Sequence, residues 1–290
     1  MRLVAVVVLS GCLGFEGDPN SANPDAAIEP DADPSTLVRS WGTPVPLSEV
    51  NQPNTIEVHP TMSVDQKMLC FARGASSSRD IFCATRSLTT VPFSQPVFQS
   101  LSQQGSVEQH PAFSPDGTRL YFATDRVDGS EDIHYAVLEN GEFVGAVPVT
   151  ELNASTNATS PYETRDGSAI FLATRDNASF DIAVSLRESP GPVRIEALSS
   201  AELDSDPAVN ADGSLMLLCS QRETVPFFAA FIAERSGPDV LDWGTPERLQ
   251  LPNLPPGQAC SAEITSDGSL LFHFCPDSTG DCDIYIAPPA

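Results

Sequence analysis

The sequence predicts an all-β fold: a five-bladed β-propeller with four antiparallel strands per blade, over residues 39–290. Three observations carry this. A turn-and-strand phrase recurs five times at intervals of about 50 residues. Each copy is followed by a third strand, and four copies by a looser fourth. The missing fourth strand stands at the front of the chain, as a near-copy of an internal segment.

The phrase is clearest in "HPAFSPDGTRLYFATDRVDGSEDIHYAV", residues 110–137. Its Asp-Gly has equivalents at Asp65-Gln66, Asp166-Gly167, Asp212-Gly213 and Asp267-Gly268, with spacings of 51, 50, 46 and 55 residues. A lead ending in Pro or Ala comes first: "HPTM", "HPAF", "SPYE", "DPAV", "SAEI". A tight turn follows, always opened by Ser, Thr or Asn: Ser63, Ser114, Thr164, Asn210 and Thr265. Such side chains accept hydrogen bonds from turn backbone, and Gly supplies the left-handed residue that closes the hairpin. Gln66 breaks that rule, at about 1–2 kcal/mol of backbone strain. An apolar second strand completes the phrase: "MLCFA", "LYFAT", "AIFLAT", "LMLLCS", "LLFHF".

Third strands begin at Asp80-Ile, Asp132-Ile, Asp181-Ile and Asp283-Ile, with Phe227-Phe228-Ala229 standing in for Asp-Ile in the fourth copy. The repetition suggests that these aspartates are structural, each bonding nearby backbone. Outer strands follow at "VPFSQPVFQSL", "GEFVGAVPVTEL", "GPVRIEAL" and "LDWGTPERLQL". The chain ends after the fifth third strand, while "SWGTPVPLSEV" (40–50) echoes "DWGTPERLQL" (242–251). The N-terminal strand, about 40–50, is therefore expected to complete the C-terminal blade and shield its edge.

With these residues in view, the phrase resembles the WD-like repeat of the TolB family of propellers. The likeness is strongest over 110–137 and extends in degraded form across about 40–287. It implies a fold and a periplasmic or surface setting. It implies no activity, because propellers host binding modules and enzymes alike.

The front of the chain reads as an address. Residues 1–11 form a short leader with one Arg and an apolar run, and Leu9-Ser10-Gly11-Cys12 resembles a bacterial lipobox, in which Cys12 becomes the lipidated first residue. The run is short for a leader, so the reading frame's first residue is expected to lie within a longer one. Residues 12–38 are rich in Pro, Ala and Asp; Phe15 to Leu37 holds six acidic and no basic residues. Such a segment buries too little to offset its ordering entropy and reads as an extended tether. The whole chain carries 39 acidic and 15 basic residues, net −24. That charge repels nucleic acid and anionic headgroups and favours cations or basic partners. The expected setting is the bacterial envelope, at the periplasmic face of the outer membrane or the cell surface. The membrane contact is the lipid alone, and the protein is expected to be a monomer.

Six cysteines remain after Cys12, and in an exported protein they are expected to pair. Cys70 and Cys83 lie on the second and third strands of blade 1; Cys275 and Cys282 lie on the same two strands of blade 5. Translated through the repeat, both pairs come within one residue of facing each other, so Cys70–Cys83 and Cys275–Cys282 are expected disulfides. Cys219 and Cys260 sit on neighbouring strands of blades 4 and 5. They are either an inter-blade staple or two buried thiols.

In a propeller the first strand of each blade lines the central channel. The residues expected to ring one mouth are His59, His110, Ser160, Asp206 and Ser261, and two positions earlier Glu57, Glu108, Ala158, Asp204 and Ala259. Glu57, His59, Glu108, His110, Asp204 and Asp206 thus form the candidate ligand site. A mixed His and carboxylate set suits a cation; the alternative is that these groups merely hold water and cap loops. Two further histidines, His134 and His273, fall on strands and read as packed or surface residues. No cofactor is required. The chain contains no Gly-x-Ser-x-Gly, His-Glu-x-x-His or phosphate loop. The function expected is a binding module for an envelope protein or small ligand, without catalysis. The alternative is a channel-centred glycan hydrolase using Glu57, Glu108 and Asp204.

Overall fold

The computed structural model describes residues 40–153, 157–175, 179–223, 227–277 and 280–290. The leader, Cys12 and the whole acidic tether lie outside the described residues. What is described is a five-bladed propeller, each blade an antiparallel sheet of four strands. Blade 1 runs β2 (Glu57–Met62), β3 (Met68–Arg73), β4 (Asp80–Thr85) and β5 (Val97–Phe98). Blade 2 runs β6 (Glu108–Phe113), β7 (Arg119–Thr124), β8 (Asp132–Glu139) and β9 (Glu142–Pro148). Blade 3 runs β10 (Ala158–Glu163), β11 (Ala169–Thr174), β12 (Asp181–Leu186) and β13 (Ser189–Arg194). Blade 4 runs β14 (Asp204–Val209), β15 (Leu215–Ser220), β16 (Ala229–Glu234) and β17 (Glu247–Arg248). Blade 5 runs β18 (Gly257–Ile264), β19 (Leu270–Pro276) and β20 (Asp283–Ala287), and β1 (Val45–Pro46) completes it.

The closing strand is short, but side chains reinforce it. Val45 pairs with Ile286 and Trp41 bridges Pro289. The Trp41 indole donates to the Gly268 carbonyl at 3.0 Å. Asn51 holds both backbone groups of Ile284, accepting from its N–H at 2.9 Å and donating to its carbonyl at 3.0 Å.

The turns between first and second strands follow one chemistry. Ser63 Oγ, Ser114 Oγ, Thr164 Oγ1 and Asn210 Oδ1 each accept the N–H five residues on. The turn aspartates accept the N–H two residues on, as in Thr118 to Asp116 at 3.0 Å. With the Ser114 hydroxyl as the largest contributor, these bonds hold the Asp116 carboxyl down at about 2. Gln66 adopts the left-handed φ of 55° that glycine takes in the other four turns. Its amide donates to Ser266 of blade 5 at 3.0 Å, a bond across the blade seam that glycine could not make.

The blade 5 turn is one residue tighter. Thr265 N–H bonds the carbonyl of Ser269, whereas Ser63 N–H reaches Met68. This removes the one-residue offset between the two hairpin disulfides: Cys70 and Cys83 are cross-strand partners, and Cys275 and Cys282 follow directly on the Phe274–Asp283 pair. Both bonds are formed, and Cys219–Cys260 is a third, joining β15 to β18.

Backbone bonds stitch the blades. Glu108 N–H reaches the Arg79 carbonyl, Ala158 that of Glu131, Asp204 that of Phe180 and Glu57 that of Cys282, all at 2.8–3.0 Å. Blades 4 and 5 are joined by the Cys219–Cys260 disulfide and by the Phe228 N–H, which donates to Gln258 Oε1 at 3.0 Å. The aspartates of the Asp-Ile pairs do not make the repeated bond expected of them. It is the next residue's N–H that is held, by Ser102 for Ile81, Asn153 for Ile133, Ser199 for Ile182 and Asn51 for Ile284. Asp181 alone of the four pairs with a basic side chain, Arg194. In blade 4 the register places Ala229-Ala230, not Phe227-Phe228, at the Asp-Ile position, because Ala229 pairs with Ser220 as Asp80 does with Arg73.

The structure corrects the expected role of Glu57, Glu108 and Asp204. They open the inner strands, but all three are fully buried and none lines the axial cavity. Each is held by an arginine from the end of the second strand. Arg73 bonds Glu57 at 2.8 Å, Arg126 bonds Glu108 at 3.0 Å and Arg222 bonds Asp204 at 2.7 Å. The same guanidinium ties down a preceding loop carbonyl: Val50, Leu101 and Leu198 respectively. The reason is the pleat: side chains two residues apart share a face only if no bulge lies between them, and one does here.

Removing one partner of a buried pair strands the other charge. We expect Arg126→Ala to cost about 3–5 kcal/mol in urea unfolding. Arg248→Ala breaks an exposed pair with Glu223, with side chains 44% and 47% exposed, and should cost under about 1 kcal/mol. Equal effects of the two changes would contradict a structural clamp.

Candidate functional site

Five inner strands run side by side about one axis, and each breaks its ladder at the same place. The register slips between Val58 and Thr61, Gln109 and Ala112, Thr159 and Tyr162, Ser205 and Ala208, and Cys260 and Glu263. The residue at each slip is left-handed without being glycine: His59 (φ 53°), His110 (50°), Ser160 (52°), Asp206 (52°) and Ser261 (48°). Each costs about 1–2 kcal/mol, least for short polar side chains. Proline follows in four blades (Pro60, Pro111, Pro161, Pro207), and Ala262 in the fifth. Proline suits a broken ladder because it has no N–H to leave unpaired. The bulges turn these side chains into an axial cavity with about 350 Å³ of non-atom space, part of it open to solvent. Thr61, Tyr162 and Glu263 lie one layer below.

Of the six candidate ligand residues, the cavity brings together His59, His110 and Asp206. The His59 and His110 rings stack with centroids 3.6 Å apart and planes 21° apart. His110 Nδ1 lies 2.6 Å from Asp206 Oδ1. Ser160 Oγ is 3.0 Å from that nitrogen and 3.2 Å from that oxygen. Ser205 Oγ donates to the other oxygen, Oδ2, at 3.0 Å. Ser, His and Asp thus meet, but not as a catalytic triad. A relay needs the hydroxyl and the carboxylate on opposite imidazole nitrogens, and here both address Nδ1.

Three residues outside the candidate set join them. His273 stands edge-on to His59, centroids 5.6 Å apart, and its Nδ1 faces the His59 N–H at 3.5 Å. Arg79 donates to Gln109 at 2.7 Å, and Gln109 in turn donates to Glu131. Glu263 accepts from the Met62 N–H at 2.6 Å and the Thr61 hydroxyl at 3.1 Å. Alignment on Asp-Gly sets His273 beside the packed residues Phe71 and Phe122. The tighter turn moves it one place, opposite Cys260, where other blades carry Ala72, Ala123 and Ala173. The length of that turn was the signal for it. His134 is a packed residue on β8, 6.0 Å from the Phe122 ring.

Burial sets the charge states. It drives the His59 imidazole well below its usual range, and His110, Arg79 and His273 push the same way. It lowers His273 to about 4, against the pull of Asp206. Burial alone would raise the Asp206 carboxyl, but His110, by charge and hydrogen bond, holds it at about 2. At neutral pH the cavity therefore offers neutral imidazole nitrogens at His59 and His273 beside a carboxylate. Two buried polar atoms of the ring, His59 Nδ1 and Ser261 Oγ, have no hydrogen-bond partner.

No protein-family model matches the chain, and no curated protein does. Among solved structures it is similar to TolB from Acinetobacter baumannii, at 16% identity over 79% of this chain and 43% of that one, with a TM-score of 0.42. It therefore spans less than half that protein's length. A thermostable family-43 glycoside hydrolase matches at 12% identity over 81% of this chain and 89% of its own, with a TM-score of 0.54. The catalytic domain of the Coprinopsis cinerea GH62 α-L-arabinofuranosidase matches at 10% identity over 87% and 98%, also at 0.54. The two glycosidase matches, at 12% and 10% identity, show a shared propeller fold and nothing finer.

Glu263 supplies a pH signature. Burial raises its carboxyl from 4.5 to about 7, against the two bonds it accepts. The folded protein then holds a proton that the unfolded chain releases, so stability is full below about pH 4.5 and falls as pH rises to 7. We expect wild type to lose about 3 kcal/mol relative to Glu263→Gln across that window, read as the difference between their urea-unfolding profiles. A difference that is flat with pH would show that Glu263 stays ionised.

Proposed function

We propose that the protein is a membrane-tethered, extracytoplasmic binding module, whose ligand site is the axial ring of its propeller. The observation that carries this is the convergence of His59, His110, Ser160 and Asp206 on one cavity at matching bulges, with buried polar atoms left unpartnered there. Three disulfides use all six cysteines after Cys12, in keeping with an oxidising compartment. Cys12 in its lipobox-like context supplies the anchor, and the acidic tether that follows supplies the reach. The ligand is an envelope protein or a small molecule or ion bearing positive charge, as a net charge of −24 favours.

The glycan-hydrolase alternative draws support from the fold shared with the family-43 and GH62 enzymes. It has lost its reagents, because Glu57, Glu108 and Asp204 are each buried against an arginine. It would have to use Asp206 and Glu263 instead.

Two measurements test the reading. In a bacterial host, wild type should pellet with envelope membranes, while Cys12→Ser appears in the soluble exported fraction; equal membrane association of the two would refute the anchor. Purified protein should leave arabinan and aryl-glycoside substrates intact. Turnover that falls at least about tenfold in Asp206→Asn or Glu263→Gln would establish the hydrolase in place of the binding module.

A further inference from the structure

We infer that the axial ring is a divalent transition-metal site, with His59, His110 and Asp206 as its protein ligands. This deepens the binding reading and rests on the same cavity. One donor atom from each residue lies within 4.8 Å of the other two. Metal–nitrogen and metal–oxygen bonds of about 2.0–2.2 Å place ligand atoms about 3.3–3.5 Å apart around a tetrahedral ion. His110 Nδ1 and Asp206 Oδ1, 2.6 Å apart without an ion, would open to that spacing and His59 would join them by rotamer adjustment.

Four features favour an ion over trapped water alone. His59 Nδ1 is buried and has no hydrogen-bond partner, and an orphaned buried polar atom is costly unless something takes it up. The Asp206 carboxylate has one oxygen fixed by Ser205 while the other points at His110 and Ser160. That is the outer-shell support which orients a ligating carboxylate. The three ligands come from blades 1, 2 and 4, so an ion would tie together strands far apart in sequence. The cavity opens to solvent, with Ser160 Oγ and Ser261 Oγ on its wall, which leaves room for water or a ligand atom to complete the coordination.

The donor set selects the ion. Two imidazole nitrogens and one carboxylate suit Zn²⁺, Cu²⁺, Ni²⁺ or Co²⁺. Ca²⁺ demands six to eight oxygens, and Mg²⁺ a near-octahedral oxygen shell. The site would be filled outside the cytoplasm and would present an open position to a donor atom of a partner or small ligand.

The test uses untagged, full-length protein in detergent, stripped with chelator and dialysed. Titration with Zn²⁺ should show one saturable site per chain, unaffected by millimolar Ca²⁺ or Mg²⁺. His59→Ala and Asp206→Asn should each weaken it by about 100-fold or more, while Asp128→Asn, on the exposed acidic surface, leaves it within about twofold. Because the ligand variants could lose their fold, Cu²⁺ bound to wild type is read by electron paramagnetic resonance, where two imidazole nitrogens should split the signal. The inference is overturned by the absence of stoichiometric Zn²⁺ binding, by displacement with Ca²⁺, by binding retained within twofold in both ligand variants, or by a copper spectrum from oxygen donors alone. Any of these leaves membrane retention through Cys12 untouched, so the anchor and the metal site fail separately.

Discussion

Five parallel inner strands crowd one axis, and the molecule meets that constraint with the same device five times. Each strand slips its register by one residue and forces a non-glycine residue into left-handed backbone. The sum of those penalties is about 5–10 kcal/mol, comparable to the whole stability of an ordinary domain. It is offset by what the slips allow: close packing of second strands such as β15, all of whose residues are buried, and proline where the ladder is interrupted. The bulge occurs with Ser160 and Ser261 as well as with the two histidines and Asp206, so the bulge itself is architecture. The side chains that fill it are a separate choice, and in three blades that choice is a side chain able to bind metal.

The bulge also explains the opposite fates of carboxylates two residues apart. Asp204 and Asp206 belong to the same strand, yet Asp204 turns to Arg222 and Asp206 to His110. One is structural, matched by a guanidinium that also satisfies a loop carbonyl. The other sits in a cavity open to solvent, its side chain 11% exposed. Blades 3 and 5 have Ala158 and Ala259 in place of the clamped acid. Blade 5 instead carries two disulfides: Cys275–Cys282 within the blade and Cys219–Cys260 to its neighbour. In blade 5 covalent bonds stand where the electrostatic clamp is missing, while blade 1 carries both a clamp and the Cys70–Cys83 disulfide.

Much of the candidate site was legible as residue types but not as directions. His59, His110 and Asp206 were visible at equivalent places in three copies of the repeat. Glu57, Glu108 and Asp204 were equally visible and are not part of the cavity, because alternation along an unbroken strand sets residues i and i+2 on one face and the slip changes that. His273 was hidden by a turn one residue shorter than its counterparts. Glu263 and Arg79 reach the site from positions that vary among the copies, where a repeat carries no signal.

By itself the sequence determined the number of blades, the strand order, the turn chemistry and the closure of blade 5 by Val45–Pro46. These follow from local rules: a hydroxyl or amide that caps a turn, an apolar run that forms a strand, an echo that marks a missing partner. Only the tertiary structure decided which polar side chains face the axis. A shift of one residue in a strand carries every later side chain to the other face, and that shift is imposed by four neighbouring strands competing for the same space.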